Sequence, residues 1–217
     1  MILSIRKPVG WTSFDVVKKV RNITREKKVG HAGTLDPFAE GLLVIGTGAD
    51  TKNLAAIADT EKTYEAVLQL GQSTDSHDST GQVTAEQAIP GLTEAEITAA
   101  LQSFQGPQDQ IPPMHSAKKV AGKRLYQLAR QNITIDREPA RITIHAIELI
   151  DWRNDKIEFR TTCSKGTYIR VLGADIASRL GTIGHLTRLV RTRIGNYSLK
   201  DALSIEAFEE QWKSIAA

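Results

Sequence analysis

The chain is poor in cysteine, in aromatic residues and in long apolar runs, and each shortage excludes something. One cysteine, Cys163, among 217 residues rules out an internal disulfide framework and suits a reducing compartment. No stretch of 18 apolar residues occurs, so nothing in the sequence reads as a membrane-spanning helix and no membrane partner is expected. The opening Met1-Ile2-Leu3-Ser4-Ile5-Arg6-Lys7-Pro8 lacks the apolar stretch and cleavage site of a signal peptide, which makes the cytoplasm the expected location. The five histidines, His31, His77, His115, His145 and His185, show no metal-ligand spacing with one another, with the cysteine or with paired acids. Gly46-Thr47-Gly48 lacks both the third glycine of a dinucleotide loop and the Lys-Ser/Thr pair of a P-loop. Neither a metal nor a nucleotide cofactor is therefore expected. Cys163 falls on the apolar face of a predicted strand, which fits a buried thiol better than a nucleophile.

What is present is a soluble globular composition, 41% hydrophobic and 24% charged, of a length that suits one domain. The net charge is only +3, but it is unevenly spread. Residues 1–30 carry eight Lys/Arg against two acids, residues 112–143 seven against two, and residues 160–193 seven against one. Residues 50–110, in contrast, hold ten acids and two lysines. Three basic blocks either scatter over a mixed surface or fold into one positive face that attracts a polyanion, most simply nucleic acid. Lys7, Lys18, Lys19, Arg21, then Lys118, Lys119, Lys123, Arg124, then Arg188, Arg191 and Arg193 interleave with Trp11, Tyr126 and Tyr168, as phosphate and base recognition requires.

Periodicity gives the elements. Met1–Ile5 and Leu42–Ile45 read as short strands, and Ser13 as the cap of a helix bearing Phe14, Val17, Val20 and Ile23. Thr51 caps a short helix through Ala58. Strict alternation over Lys62–Leu70 predicts a strand. Gly71–Gln82 and Gln105–Pro113 read as loops, and Thr93-Glu94-Ala95-Glu96 as a capping box. Arg141–Ile150 and Lys156–Cys163 form an expected hairpin. Thr167 caps a helix that Gly181 ends, Ile183–Ile194 is a further strand, and Ser204–Ile215 an amphipathic helix with Ile205, Phe208, Trp212 and Ile215 on one stripe. The order predicts an α+β fold with a mixed, mainly antiparallel sheet flanked by helices, in a single domain over 1–217.

One stretch stands out, Gly30-His31-Ala32-Gly33-Thr34-Leu35-Asp36-Pro37. Its two glycines can take left-handed backbone and admit close neighbours, while Pro37 presses Asp36 toward an extended conformation. On the residues alone Asp36 is either a turn residue or a carboxylate displayed for chemistry. With Phe38-Ala39-Glu40-Gly41 added, the stretch resembles the active-site motif of the bacterial TruB-type tRNA pseudouridine synthases. Four further stretches match that family in order: Lys7-Pro8-Val9-Gly10-Trp11-Thr12-Ser13; Lys62-Thr63-Tyr64 with Gly71-Gln72-Ser73-Thr74-Asp75; Pro112-Pro113-Met114-His115-Ser116-Ala117-Lys118; and Cys163-Ser164-Lys165-Gly166-Thr167-Tyr168-Ile169-Arg170. Many members have an aromatic residue where His115 stands.

The resemblance implies a pseudouridine-synthase fold and isomerisation of uridine 55 in the T loop of tRNA, with no cofactor and with the T-arm stem-loop as partner. It implies that Asp36 is the essential aspartate, acting as nucleophile or as base, that Arg170 pairs with it, and that Tyr64 packs on the target base. Tyr168 and Leu189 match the uridine pocket, and His31 a residue that contacts the flipped nucleotide. Lys7, Lys118 and Lys119 are assigned to the RNA, the last two on a basic insertion over about 112–141 that grips it. Many members carry a small RNA-binding module after the catalytic domain; none is expected here. A monomer is expected, since no self-complementary apolar stripe is left over. Two rivals stay open: a non-catalytic RNA-binding or folding module, and a related synthase acting on another RNA.

Overall fold

Along Lys62–Leu70, Lys62, Tyr64, Ala66, Leu68 and Leu70 are buried and the residues between them half-buried, the alternation that the sequence predicts for a strand. The computed structural model describes residues 1–116, 118–120, 122–129, 131 and 133–216, without the side chains of 119, 120, 123, 124, 126, 215 and 216. In chain order the elements are β1 (Ile2–Lys7), α1 (Ser13–Thr24), β2 (Val29–His31), β3 (Glu40–Thr47), a 3₁₀ turn (Gly48–Asn53), α2 (Leu54–Ala58), β4 (Lys62–Leu70), β5 (Gln72–Thr74), β6 (Val83–Glu86), α3 (Glu94–Gln102), β7 (Gly106–Gln110), β8 (Lys119–Val120), β9 (Lys123–Arg124), α4 (Leu125–Ala129), β10 (Ala140–Arg153), β11 (Lys156–Cys163), α5 (Ile169–Arg179), β12 (Gly184–Ile194), β13 (Tyr197–Ser198), a second 3₁₀ turn (Leu199–Asp201) and α6 (Ile205–Ala216). The α+β class holds.

The chain packs as two units, Met1–Glu65 with Leu189–Ala217, and Ala66–Arg188. In the first, β3 is the middle strand. β1 lies antiparallel to it from Ile2↔Gly46 to Lys7↔Gly41, and β12 lies parallel to it at Val190↔Glu40 and Arg191↔Gly41. β2 pairs antiparallel with its far end, and β13 folds back on β12. The run Leu42-Leu43-Val44-Ile45 is apolar at every position because both faces are covered. Leu43 and Ile45 pack with Ile5, with Val16, Val17 and Val20 of α1, and with Ile205 and Phe208 of α6. Leu42 and Val44 pack with Ala32, Leu54 and Ile194. Each of these Val, Leu, Ile and Phe side chains contributes roughly 1.5–3 kcal/mol on burial. Trp212 joins the α6 stripe as expected, its ring 6.0 Å from that of Phe208; the Ile215 side chain lies outside the described residues.

The second unit holds the antiparallel order β7–β10–β11–β4–β12, taking the parts of β4 and β12 that belong to it. The expected hairpin of β10 and β11 is present, with Asn154 in left-handed backbone at its tip. Two readings of loops are corrected. The polar loop after Gly71 contains β5, which pairs with β6, and Gln105–Pro113 contains β7, which pairs with β10 from Ala140↔Gln110 to Ile144↔Gly106. β7 ends the strand order. Its sequence Gly-Pro-Gln-Asp-Gln has no hydrophobic alternation, because the backbone of β10 recruits it.

Three helix starts are also corrected. Thr12, not Ser13, caps α1, in a capping box with Asp15, and Ser13 is freed for another task. Tyr168, not Thr167, is the N-cap of α5, and the Thr167 hydroxyl donates to Ser164 O instead. The helix expected from Thr51 starts only at Leu54. The Thr93–Glu96 capping box stands as read.

Candidate active site

The Asp36 turn is the link between β2 and β3, and its shape is set from several directions. Ala32 N–H donates to Val44 O at 2.9 Å, extending the β2–β3 ladder by one rung. Gly33 then takes φ +94°, the left-handed backbone expected of it. Gly30 does not; it is small because the Leu54 side chain would lie 3.0 Å from an added Cβ. The buried Ser13 hydroxyl accepts from Leu35 N at 2.8 Å and donates to Leu35 O at 3.2 Å. Leu35 is buried, while Asp36 is half-buried and Pro37 exposed. Asp36 O accepts the Ala39 N–H at 3.1 Å, closing the turn. The main chain around the aspartate is thereby fixed, and its side chain is half-buried.

Lys7 is expected on the RNA, and this expectation is corrected: its side chain is 0% exposed. Its ammonium donates to Trp11 O at 2.6 Å, to Pro8 O at 2.9 Å and to Pro37 O at 3.5 Å. Gly10 N–H also reaches Pro37 O, at 2.8 Å. A phosphate contact needs an exposed cation; this one is spent on carbonyls around the turn. Burial lowers its pKa to about 8, and Arg191 pushes the same way, while the charges of Asp36, Glu40 and Asp15 oppose the shift.

That shift gives a pH dependence of stability. The unfolded chain holds the Lys7 proton up to its ordinary value of 10.5, the folded chain only to about 8. Between these values unfolding takes up a proton, so this group's contribution to stability rises with pH across the window and is lowest below it. Lys7→Met should be less stable at every pH, since three carbonyls lose a donor, and should lack that rise of about 3 kcal/mol at most. Urea unfolding from about pH 7 to about pH 10 measures both.

His31 ends β2, half-buried. Burial lowers its pKa, the Arg191 charge lowers it further, and a hydrogen bond to the Gly33 backbone opposes them. It is therefore a neutral imidazole at physiological pH, and its Nδ1 has no hydrogen-bond partner among the described residues. Tyr64, the third residue of β4, is buried, as is Leu189 in β12. Arg191, expected among the cations that face RNA, is 1% exposed, and that expectation is corrected as it is for Lys7. Its guanidinium donates through Nε to Leu42 O at 2.9 Å, through Nη2 to Gly33 O at 3.0 Å and through Nη1 to Thr34 O at 3.4 Å. The signal that could have found it is period two: Arg191 shares a strand face with Leu189. The first unit thus gathers Lys7, His31 and Arg191 around the turn of Asp36.

In the second unit Arg170 opens α5 and is 2% exposed. Nη1 donates to Ser76 O at 2.6 Å and Nη2 to His115 O at 2.8 Å, and Nε lies 3.6 Å from Asp78 Oδ2. Asp78 is itself buried and organised, its Oδ1 accepting from Ser76 Oγ at 2.8 Å and Thr80 N at 2.9 Å. The Asp75–Asp78 cluster, read as a turn-capping loop, therefore also supplies an ion-pair partner to Arg170. Tyr168 is held by a two-way amide lock: its N–H donates to Gln110 Oε1 at 2.8 Å and its carbonyl accepts from Gln110 Nε2 at 3.1 Å. Lys118 is half-buried, and its carbonyl accepts the Leu125 N–H at 2.9 Å. Lys119 lies in β8, with its side chain outside the described residues.

Comparison with known proteins gives the chain a family. The N-terminal domain of the TruB family of pseudouridylate synthases matches residues 21–169. A tRNA pseudouridine synthase B of Dechloromonas aromatica is 46% identical over 208 residues, 96% of this chain and 69% of the relative. One of Bacillus velezensis is 44% identical over 97% of this chain and 70% of its own length. Among solved structures, a chain of a Cbf5–Nop10–Gar1 complex superposes with a TM-score of 0.78 over the whole of this chain and 56% of that one, at 24% identity, so the two share a fold. A chain of an H/ACA RNP bound to a substrate RNA superposes with a TM-score of 0.73 at 23% identity over 55% of its length. On the strength of the family match and of these relatives, the chain belongs to the TruB family of pseudouridylate synthases.

Proposed function

We propose that this chain converts the uridine at position 55, in the T loop of tRNA, to pseudouridine. One observation carries the reading: in a chain of the TruB family, the stretch that resembles the family's active-site motif folds as a tightly tethered turn with a half-buried aspartate on it. The relatives' name, tRNA pseudouridine synthase B, supports tRNA as the substrate.

The chemistry is a redox-neutral isomerisation. The bond from ribose C1′ to N1 of the base breaks, the base turns, and a bond from C1′ to C5 forms; C5 loses a proton and N1 gains one. In this reading the uridine is first flipped out of the loop, at a cost of a few kcal/mol. Asp36 attacks the ribose or removes a ribose proton, Arg170 pairs with it, and Tyr64 packs on the base and takes part in moving the C5 proton. His31, Tyr168 and Leu189 serve the nucleotide pocket. A neutral His31 suits contact with an uncharged base. Lys118 and Lys119 neutralise phosphates.

Incubation with an unmodified tRNA transcript, followed by mass-spectrometric mapping, should find one pseudouridine, at position 55. A product at another position would move the substrate to a different RNA element, and no product would leave only binding.

A further inference from the structure

The register of the first unit puts an unusual row across three strands. Lys7 of β1 pairs with Gly41 of β3, and Gly41 pairs with Arg191 of β12. Adjacent strands lie about 4.8 Å apart, so the backbones of the two residues flank one glycine at a separation of about 10 Å. Both reach the Asp36 turn, from opposite ends. Lys7 binds the carbonyl of Pro37, just after Asp36, and Arg191 binds those of Gly33 and Thr34, just before it.

Burying a guanidinium costs several kcal/mol unless its donors are satisfied. Here no carboxylate pairs with Arg191 among the described residues. Its donors go to main-chain carbonyls alone. A hydrophobic side chain on β12 would fill the same volume at lower cost, so the core alone gives this position no need of an arginine. What the planar fork does, and an alkyl chain cannot, is span Leu42 O on β3 and Gly33 O on the turn together, with its donors fixed in one plane as those of a lysine are not. It staples the first half of the turn to the strand that follows it.

We propose that Arg191 is a positioning residue, whose guanidinium holds the Gly33–Thr34 half of the turn and thereby sets the place of the Asp36 carboxylate. It touches no substrate; it acts through the turn. A displacement of about 1 Å at a reacting group is enough to cost ~10²-fold in rate.

Two readouts test this, and only the second rests on the proposed isomerisation. The first is hydrogen exchange, followed peptide by peptide in Arg191→Met and Arg191→Lys. Exchange over residues 30–39 should quicken by about tenfold or more in the methionine variant and less in the lysine variant, while α1 and α3 keep their wild-type protection. Unchanged exchange over 30–39 overturns the proposal. So does a uniform rise that includes α1, which marks a role in the stability of the unit alone. The second readout is single-turnover conversion of a T-arm hairpin. Arg191→Met should lose about 10²-fold in rate while its Kd for the hairpin stays within about threefold, with partial recovery in Arg191→Lys. Wild-type rate in a folded variant, or a loss confined to Kd, overturns the proposal. If the wild-type chain converts no hairpin, the functional reading fails, and exchange over 30–39 alone decides the case of Arg191. Should the methionine variant not fold, the lysine variant, which keeps a cation there, decides both readouts.

Discussion

Asp36→Asn should abolish pseudouridine formation, lowering the single-turnover rate by about 10⁴-fold or more, ~5.5 kcal/mol of barrier, while the T-arm hairpin binds within about threefold of wild type. The two side chains have nearly the same shape, and the turn is tied down by groups other than this carboxylate. Ser13 holds both main-chain atoms of Leu35, Arg191 the carbonyls of Gly33 and Thr34, Lys7 that of Pro37, and Ala39 N–H the carbonyl of Asp36 itself. The variant should therefore fold with its turn in place. What it loses is the charge and basicity that either route requires, since an amide neither attacks a ribose carbon nor accepts a ribose proton at neutral pH. A variant that binds and turns over would remove Asp36 from the chemistry and with it the assignment of the turn as the active site.

Local signals in the sequence carried much of the fold. Alternation located β4 to the residue, the capping box located α3, and the apolar run Leu42–Ile45 located β3, because in each case the residues themselves decide the conformation. β5 and β7 were illegible for the opposite reason: polar segments become strands when a partner offers its backbone. At the site the motif was legible and its scaffolding was not. The left-handed Gly33 could be read from eight residues, whereas His31 and Asp36 stood out only through the resemblance of five collinear stretches. Lys7, in contrast, reads in sequence as one more RNA-facing cation of a basic segment, and only its burial beside Pro37 O reveals a tether. Ser13 and Arg191 lie 22 and 158 residues from the turn positions they hold, and no local pattern announces a hydrogen bond across such a distance.

The glycine between the two buried cations should be the least replaceable small residue of the first unit. Gly41 has φ +112°, and a Cβ added to it would stand 2.4 Å from Arg191 O and 2.8 Å from Arg191 N. Those atoms are main chain, held in the parallel pairing of β12 with β3, so no rotamer change relieves the clash; the strands must part. Gly41→Ala should therefore cost about 3 kcal/mol or more, from strained backbone and lost pairing together. Gly10 makes the control. It has φ +83° with nothing within 4 Å of an added Cβ, so Gly10→Ala carries the conformational cost without the clash, about 1 kcal/mol. Urea unfolding of the two variants side by side separates these contributions, and equal losses would refute the steric account. The same displacement should reach the chemistry, since Arg191 cannot move away from Gly41 without shifting the fork that holds Gly33 and Thr34. Gly41→Ala that stays folded should thus lose pseudouridine formation beyond its loss of stability, whereas Gly10→Ala should lose less of both.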